Sequence, residues 1–567
     1  MRNTAFAAPA HLLQALVFLT ILLCCQVSSA GQPYSSSWAS ANPTTESWTF
    51  SGKNDKSLTT QNHTGTDPAE RPNIVFIFSD DLSFRDLSCY GQKQFSTPNM
   101  DALASVSFRF TQAYTAAPEC APSRGCLMTG LQVGHSPIRN NSSARGFEYL
   151  PDSAFTWAEM LQTAGYTTGV IGKWGIGNYA DPGSPLKQGF DYHFGYQTHF
   201  EAHSYFPWQL YENGETIEFP GNRPFDMEFL YAKEDNPKAY DYESMYDAGG
   251  KLVVPDPEKR VYAADLFDEK ALAFIEKNKS KPFMLYFTTN LPHGPAIVDD
   301  LRELKGKKEM PILSREWGAM VQRLDESVGK LVRKLKEAGV YENTIILFAS
   351  DNGYSMHNTK RDAAGNVTWP DDEGLHNKGP FEGGKFAVRE GGMRVPFFVH
   401  YPGQTALRVI NQPVWMVDVF PTFCDIAKQP IPKNIDGFSL LPFLQDKPAS
   451  IPYDRPFYFN KLNEQAVRKG SWYGIRESPS SPLRLYLLDE DQACEKDLSA
   501  FFPEVVKNLE QVMDTSILPH PWYWNPGETL TDFNAKKKKA AETGQLIDEL
   551  RPNGMQLMPW EKKSRSQ

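Results

Sequence analysis

Apolar residues in this chain gather into short unbroken runs, and each run stops at a cluster of polar side chains. Asn73-Ile74-Val75-Phe76-Ile77-Phe78 ends in Ser79-Asp80-Asp81. Thr168 to Ile171 precedes Gly172-Lys173, Phe283 to Phe287 precedes a Leu291-Pro292-His293 turn, and Thr344 to Ala349 precedes Ser350-Asp351-Asn352-Gly353. Continuous rather than alternating runs of this length predict strands buried on both faces, as in a parallel sheet. Open α/β sheets hold their ligands beyond the carboxyl ends of such strands, where these polar clusters fall. Helical periodicity fills the intervals. It is clearest from Ser314 to Gly339, where Trp317, Val321, Leu324, Val328, Leu331 and Leu335 repeat at helical spacing, with Ser314 placed to cap the start and Gly339 to end it. Strands alternating with helices predict an α/β fold with a large, mostly parallel sheet covered by helices on both faces.

After Asp436-Gly437-Phe438-Ser439-Leu440-Leu441-Pro442 the pattern changes. Shorter strands are expected around Gln465 to Arg468 and Leu483 to Leu488, followed by a helix from Pro503. We divide the chain into a main domain at 71–445 and a smaller carboxyl-terminal α+β domain at 446–567 with a short antiparallel sheet. The Lys536 to Lys539 run reads as a solvated helix face. Residues 31–70, rich in Ser, Thr, Asn and Gly, read as a flexible linker. Residues 1–30 read as an export signal: Arg2, an apolar stretch from Leu12 to Cys25, then Val27-Ser28-Ser29-Ala30. That stretch is shorter than the roughly 20 residues a spanning helix needs, so cleavage rather than a stable membrane anchor is expected. The destination is periplasmic, secreted or lysosome-like, depending on the host.

A length of 567 residues, 41% of them hydrophobic, allows a sizeable core. The net charge of −10 excludes a general nucleic-acid binder, which needs a basic face. Any anion site must therefore be local. Of seven cysteines, Cys89, Cys120, Cys126, Cys424 and Cys494 survive cleavage, an odd number in an oxidising compartment.

Asp80-Asp81 places two carboxylates together after a buried strand, an arrangement suited either to a helix cap or to a hard cation. Asp351-Asn352 is a second oxygen-rich pair after another strand, and both pairs lack His and Cys, which favours Ca²⁺ or Mg²⁺ over zinc. In Cys120-Ala121-Pro122-Ser123-Arg124, Pro122 stiffens a turn, a helix opens near Ser123, and Arg124 stands one turn along, able to hold an oxyanion. By spacing alone, Cys120 and Cys126 equally suit a structural disulfide.

The full string Cys-x-Pro-Ser-Arg-x-x-Leu-x-Thr-Gly, filled here by Cys120 to Gly130, resembles the signature of the sulfatase family. Thr97-Pro98-Asn99, Glu390 to Pro396 and Asp418 to Thr422 resemble further family strings, in family order. The resemblance implies an alkaline-phosphatase-like fold and hydrolysis of sulfate esters. It also implies that a separate formylglycine-generating maturation enzyme oxidises Cys120 to formylglycine (3-oxoalanine). Asp80, Asp81, Asp351 and Asn352, with residue 120, then ligate one Ca²⁺. Lys173, Lys385 and His293 become sulfate ligands and the leaving-group acid, for which His293 is preferred over Lys385. Arg394, within the Glu390 string, joins the candidate substrate ligands. The implied substrate is a sulfated saccharide or an aryl sulfate.

One position departs from the family. Where Lys-Trp-His is common, this chain has Lys173-Trp174-Gly175, so the histidine that would support the formylglycine hydroxyl is missing. Gly189-Phe190-Asp191 and Ala202 to Pro207 resemble a carbohydrate-sulfatase branch. There His203 either compensates for Gly175, touches substrate or is an ordinary loop histidine. Trp208 and Tyr211, in a loop region at 198–257, are stacking platforms or loop packing. Two other functions share these residues: a formylglycine-dependent phosphodiesterase or phosphonate hydrolase, and a silent protein that binds sulfated glycans.

Overall fold

Alternation along one strand explains the architecture. Strand β1 (Asn73–Ser79) is buried throughout, and its odd and even residues belong to different cores. Val75 and Ile77 face one apolar cluster, whereas Ile74, Phe76 and Phe78 face another. A strand lined on both faces must lie inside a sheet with a layer on each side. The computed structural model describes residues 71–225, 246–253, 259–294, 296–355, 360–361, 367–368, 374–447 and 451–547. The leader and linker expected at 1–70 lie outside them, as does part of the 198–257 loop region.

The other strands of the large sheet are β2 (Phe108–Tyr114), β3 (Thr167–Lys173), β4 (Tyr192–Tyr196), β5 (Gln209–Glu212), β6 (Glu215–Glu218), β7 (Phe283–Thr288), β8 (Thr344–Ser350), β9 (Arg394–His400), β10 (Arg408–Ile410) and β11 (Val414–Trp415). The spatial order is β10-β2-β9-β8-β1-β7-β3-β4-β5-β6, with β11 also beside β2. Strands β8, β1, β7, β3 and β4 run parallel, and β9 is antiparallel to both β2 and β8. The sheet is therefore mixed, with a parallel centre that gathers the carboxyl ends of four predicted strands along one edge.

On one face lie the helices Ala263–Asn278 and Ile312–Glu337, and on the other Trp157–Thr163 and Val419–Ile426. The helix expected from Ser314 begins two residues earlier, with Pro311 at its N-cap and Ser314 buried inside it. Proline's fixed φ suits a helix start better than the periodicity alone could show. All six residues of the predicted stripe are buried.

A separate antiparallel sheet contains β12 (Pro456–Lys461), β13 (Glu464–Lys469), β14 (Trp472–Arg476) and β15 (Arg484–Leu487), with the helix Pro503–Thr515 against it. A third core joins this sheet to the large one, with Tyr114, Cys126 and Trp415 packed among Phe457, Phe459 and Tyr473. No helix among the described residues is long and apolar enough to cross a membrane.

Leu324 is fully buried on the long helix. Leu324→Ala should cost about 2–5 kcal/mol through lost burial and a residual cavity. Urea unfolding followed by circular dichroism checks this, and an unchanged midpoint would show that the stripe does not hold the helix to the sheet.

Candidate active site

The helix carrying Cys120 begins at that residue, spans Cys120–Thr129, and has Glu119 as its N-cap and Gly130 as its C-cap. Gly130 has a φ of 68°, the left-handed conformation that closes helices without a Cβ penalty. Cys120 is buried and points at the sheet edge, its Sγ 3.6 Å from Asp80 Oδ1 and 3.8 Å from Asn352 Oδ1. Burial pushes the thiol well above its usual range, against the pull of Lys173 and Lys385. All five described cysteines are unpaired, so Cys120 and Cys126 form no disulfide.

The two oxygen-rich pairs meet across adjacent strands. Asp81 has a φ of 65°, which turns the chain sharply after β1. Its backbone N–H donates to Asp351 Oδ1 at 3.1 Å, and its Oδ1 accepts from Asn352 Nδ2 at 2.7 Å. Ligand atoms of Asp80, Asp81, Cys120 and His293 lie within 4.8 Å of one another, and Asp351 and Asn352 adjoin them through these bonds.

Three buried cations answer three buried carboxylates. Lys173 Nζ lies 2.6 Å from Asp80 Oδ2, and Lys385 Nζ lies 2.9 Å from Asp81 Oδ2. Arg124 Nε and Nη2 both reach Asp351 Oδ2, at 3.1 and 2.9 Å. Burial opposes the charge on Lys385, but Asp81, then Cys120 and Asp80, outweigh it and hold the ammonium protonated. Arg124 is held in the same way by Asp351 and Asp80. Its Nη1 donates to the Lys173 carbonyl at 2.9 Å and to Thr288 Oγ1. The guanidinium expected to grip an oxyanion is thus turned toward the carboxylates, and it fixes their positions.

His293 lies beside Lys385, Nε2 to Nζ at 2.9 Å, and its Nδ1 faces the carbonyl of Gly294. A carbonyl only accepts, so Nδ1 carries a proton, and in the neutral ring Nε2 accepts from Lys385. His203 is half-buried and stacks on His293 with ring centres 4.3 Å apart. Arg394 is not brought to this cluster. Its donors go to Glu390 and the Thr111 carbonyl, and its guanidinium lies over Phe381 and Phe84.

The residue that sequence reasoning missed is His199. A Cβ built on Gly175 would sit 3.8 Å from His199 Cβ, 3.8 Å from Lys173 Cε and 3.4 Å from Arg124 Cδ. The His199 ring is buried between Phe147 and Phe200, and its Nδ1 has no hydrogen-bond partner among the described residues. Burial, reinforced by Lys173, Lys385 and Arg124, drives its pKa well down, so it is neutral. A histidine from another loop thus has its Cβ beside the position where Gly175 carries no side chain. Its only trace in the sequence is its position four residues before His203.

Comparisons with known proteins agree with this geometry. The sulfatase family profile matches residues 72–429, and that of the N-sulphoglucosamine sulphohydrolase carboxyl-terminal region matches 382–507. An N-acetylgalactosamine-6-O-sulfatase of Bacteroides thetaiotaomicron is 28% identical, covering 79% of this chain and 93% of its own. The N-acetylgalactosamine-6-sulfatase of Mus musculus is 30% identical, covering 71% of each. Among solved structures, Ps i-CgsB with k-i-k-neocarrahexaose superposes with a TM-score of 0.63 at 26% identity, over 83% of this chain and 98% of its own. The phosphonate monoester hydrolase of Agrobacterium radiobacter, 16% identical with a TM-score of 0.53, shares the fold over 86% of this chain and all of its own. With the profile spanning the sheet and the buried cluster at its edge, the chain belongs to the sulfatase family of sulfuric ester hydrolases.

Proposed function

We propose that this enzyme hydrolyses sulfate esters of a carbohydrate, with formylglycine made from Cys120 and one Ca²⁺ held by Asp80, Asp81, Asp351 and Asn352. The observation that carries the reading is the convergence of those four oxygen donors on Cys120 at one buried sheet edge. Hard carboxylate and amide oxygens are the donor set that calcium prefers. Three carboxylates already balanced by three cations would become net positive with a divalent ion, as a sulfate anion requires. When present, the aldehyde hydrate supplies an oxygen nucleophile that a thiol cannot replace, and the metal supplies charge that polarises it.

The chain's own residues do the rest. Lys173 and Lys385 are fixed by carboxylates, so their charge is in place before substrate arrives and need not reorganise as charge develops. The leaving sugar oxygen needs a proton, and the Lys385–His293 pair holds one between two nitrogens. A proton reaching His293 Nε2 from the ammonium would stand next to the carboxylates, beside the stacked His203. His199, whose Cβ lies beside Gly175 and whose Nδ1 has no partner among the described residues, is the residue we assign to the role the missing histidine leaves. Export by the 1–30 leader and division of the chain at 445 belong to the same reading.

Made alongside a formylglycine-generating enzyme, the Cys120 peptide should be lighter than the thiol form by about 18 Da, the difference between thiol and aldehyde. Cys120→Ala should fold and turn over no ester; an active variant would remove Cys120 from the chemistry. Chelation should lower both activity and melting temperature, and Ca²⁺ should restore them, since a ligand bound only to the native state stabilises it. Equal values with and without chelator would exclude the metal. His199→Ala should lower kcat roughly 100-fold, the usual contribution of a positioned acid or base. A kcat within twofold of wild type would leave Gly175 without a substitute.

A further inference from the structure

Beside the buried cluster stands an aromatic side chain that the fold leaves half exposed. Phe386 follows Lys385 directly and is 51% exposed. Its φ of 71° is a conformation that side chains with a Cβ seldom adopt, and for a bulky residue it is an outlier. The backbone is held there by its N–H, which donates to the Pro118 carbonyl at 2.7 Å. Strain of this kind persists where the surroundings enforce it, and it gathers at ligand sites. Here it holds a ring in solvent without the gain from burial that usually accompanies an aromatic residue.

Two ammonium groups lie over this ring. Lys385 Nζ, in the cluster, is 5.4 Å from the ring centre, and Lys461 Nζ is also 5.4 Å away. Lys461 ends the first strand of the carboxyl-terminal sheet. It is tied to the buried Glu119 at 2.7 Å and to Asn140 Oδ1 at 3.1 Å, so it is positioned rather than loose. Its side chain keeps 18% exposure. A half-exposed ring with two cations close to it, one of them in the charged cluster beside Cys120, matches a chain of sugars bearing more than one anionic group.

We propose that Phe386 and Lys461 form a second saccharide subsite. Phe386 stacks on the apolar face of a sugar ring adjoining the scissile sulfate, and Lys461 pairs with another sulfate or a carboxylate on the neighbouring residue. The ligand class is an anionic oligosaccharide. The subsite rests on the proposed carbohydrate substrate and adds a preference for more than one residue and more than one charge. Aromatic faces with an adjoining cation bind such ligands through dispersion and charge together.

The test is equilibrium binding by the Cys120→Ala protein, which needs no aldehyde. The probes are a panel of chondroitin sulfate, heparin, carrageenan and fucoidan oligosaccharides, with their desulfated forms as controls. At least one sulfated member should bind. Phe386→Ala should weaken it tenfold or more, Phe386→Tyr should restore it, and Lys461→Met should weaken it and flatten its salt dependence. An unchanged affinity in Phe386→Ala, an equal loss in Phe386→Tyr despite a native melting temperature, or no binding by any panel member overturns the subsite. If the panel binds as expected while wild-type Cys120 stays an unmodified thiol, the catalytic reading fails and the subsite stands.

Discussion

Everything at this sheet edge depends on neutralising three carboxylates shut away from the protein surface. Asp80, Asp81 and Asp351 are fully buried, and a buried charge without a partner costs several kcal/mol even after relaxation. Lys173, Lys385 and Arg124 meet that cost one for one, and Arg124 adds bonds to the Lys173 carbonyl and Thr288 that join three strands. Removing any one member strands its opposite charge, so the arrangement is held as a set. Precision follows from this. Groups so paired are positioned before substrate arrives, and catalysis by fixed charges rewards that preorganisation.

The sheet supplies the framework, and the cores on its two faces supply its rigidity. Because β1 divides its side chains between two layers, no face of the central strands is left to flex. The loops beyond the strands' carboxyl ends need only short excursions to bring Asp81, Lys173, His293 and Asp351 together. The carboxyl-terminal sheet adds a wall on one side, since Lys461 reaches Glu119 at the cap of the Cys120 helix.

Much of this was legible in the sequence, for physical reasons. Unbroken apolar runs such as Ile74 to Phe78 have few alternatives to a buried strand, and the polar clusters after them mark the edge where a site can form. Side-chain direction was not legible. Arg124 and Arg394 looked alike as anion ligands, yet both guanidinium groups are consumed by protein oxygens. No spacing rule reports which way a long cation turns when several acceptors compete. The vacancy at Gly175 could be read from the chain, but His199 went unnoticed because only the fold brings its loop beside that glycine. The strands Pro456–Lys461 and Trp472–Arg476 carry too little continuous apolar character to stand out alone, and they become strands by pairing with β13.

The bond from the Asp81 amide to Asp351 joins residues 270 positions apart in the chain. Asp80 meets Lys173 only when β3 has joined the sheet beyond β7, Asp351 meets Arg124 only when the Cys120 helix has docked, and Asp81 meets Lys385 only when that loop has closed over them. Long-range pairing of this kind is slow to form and late to reward. While the chain is being made, Asp80 and Asp81 therefore wait in solution, hydrated and repelling each other, until the last of these elements has emerged. Assembly of the charge cluster is thus a late checkpoint: a chain that stops short of Lys385 has the sheet's carboxylates but not all of the charges that allow them to be buried.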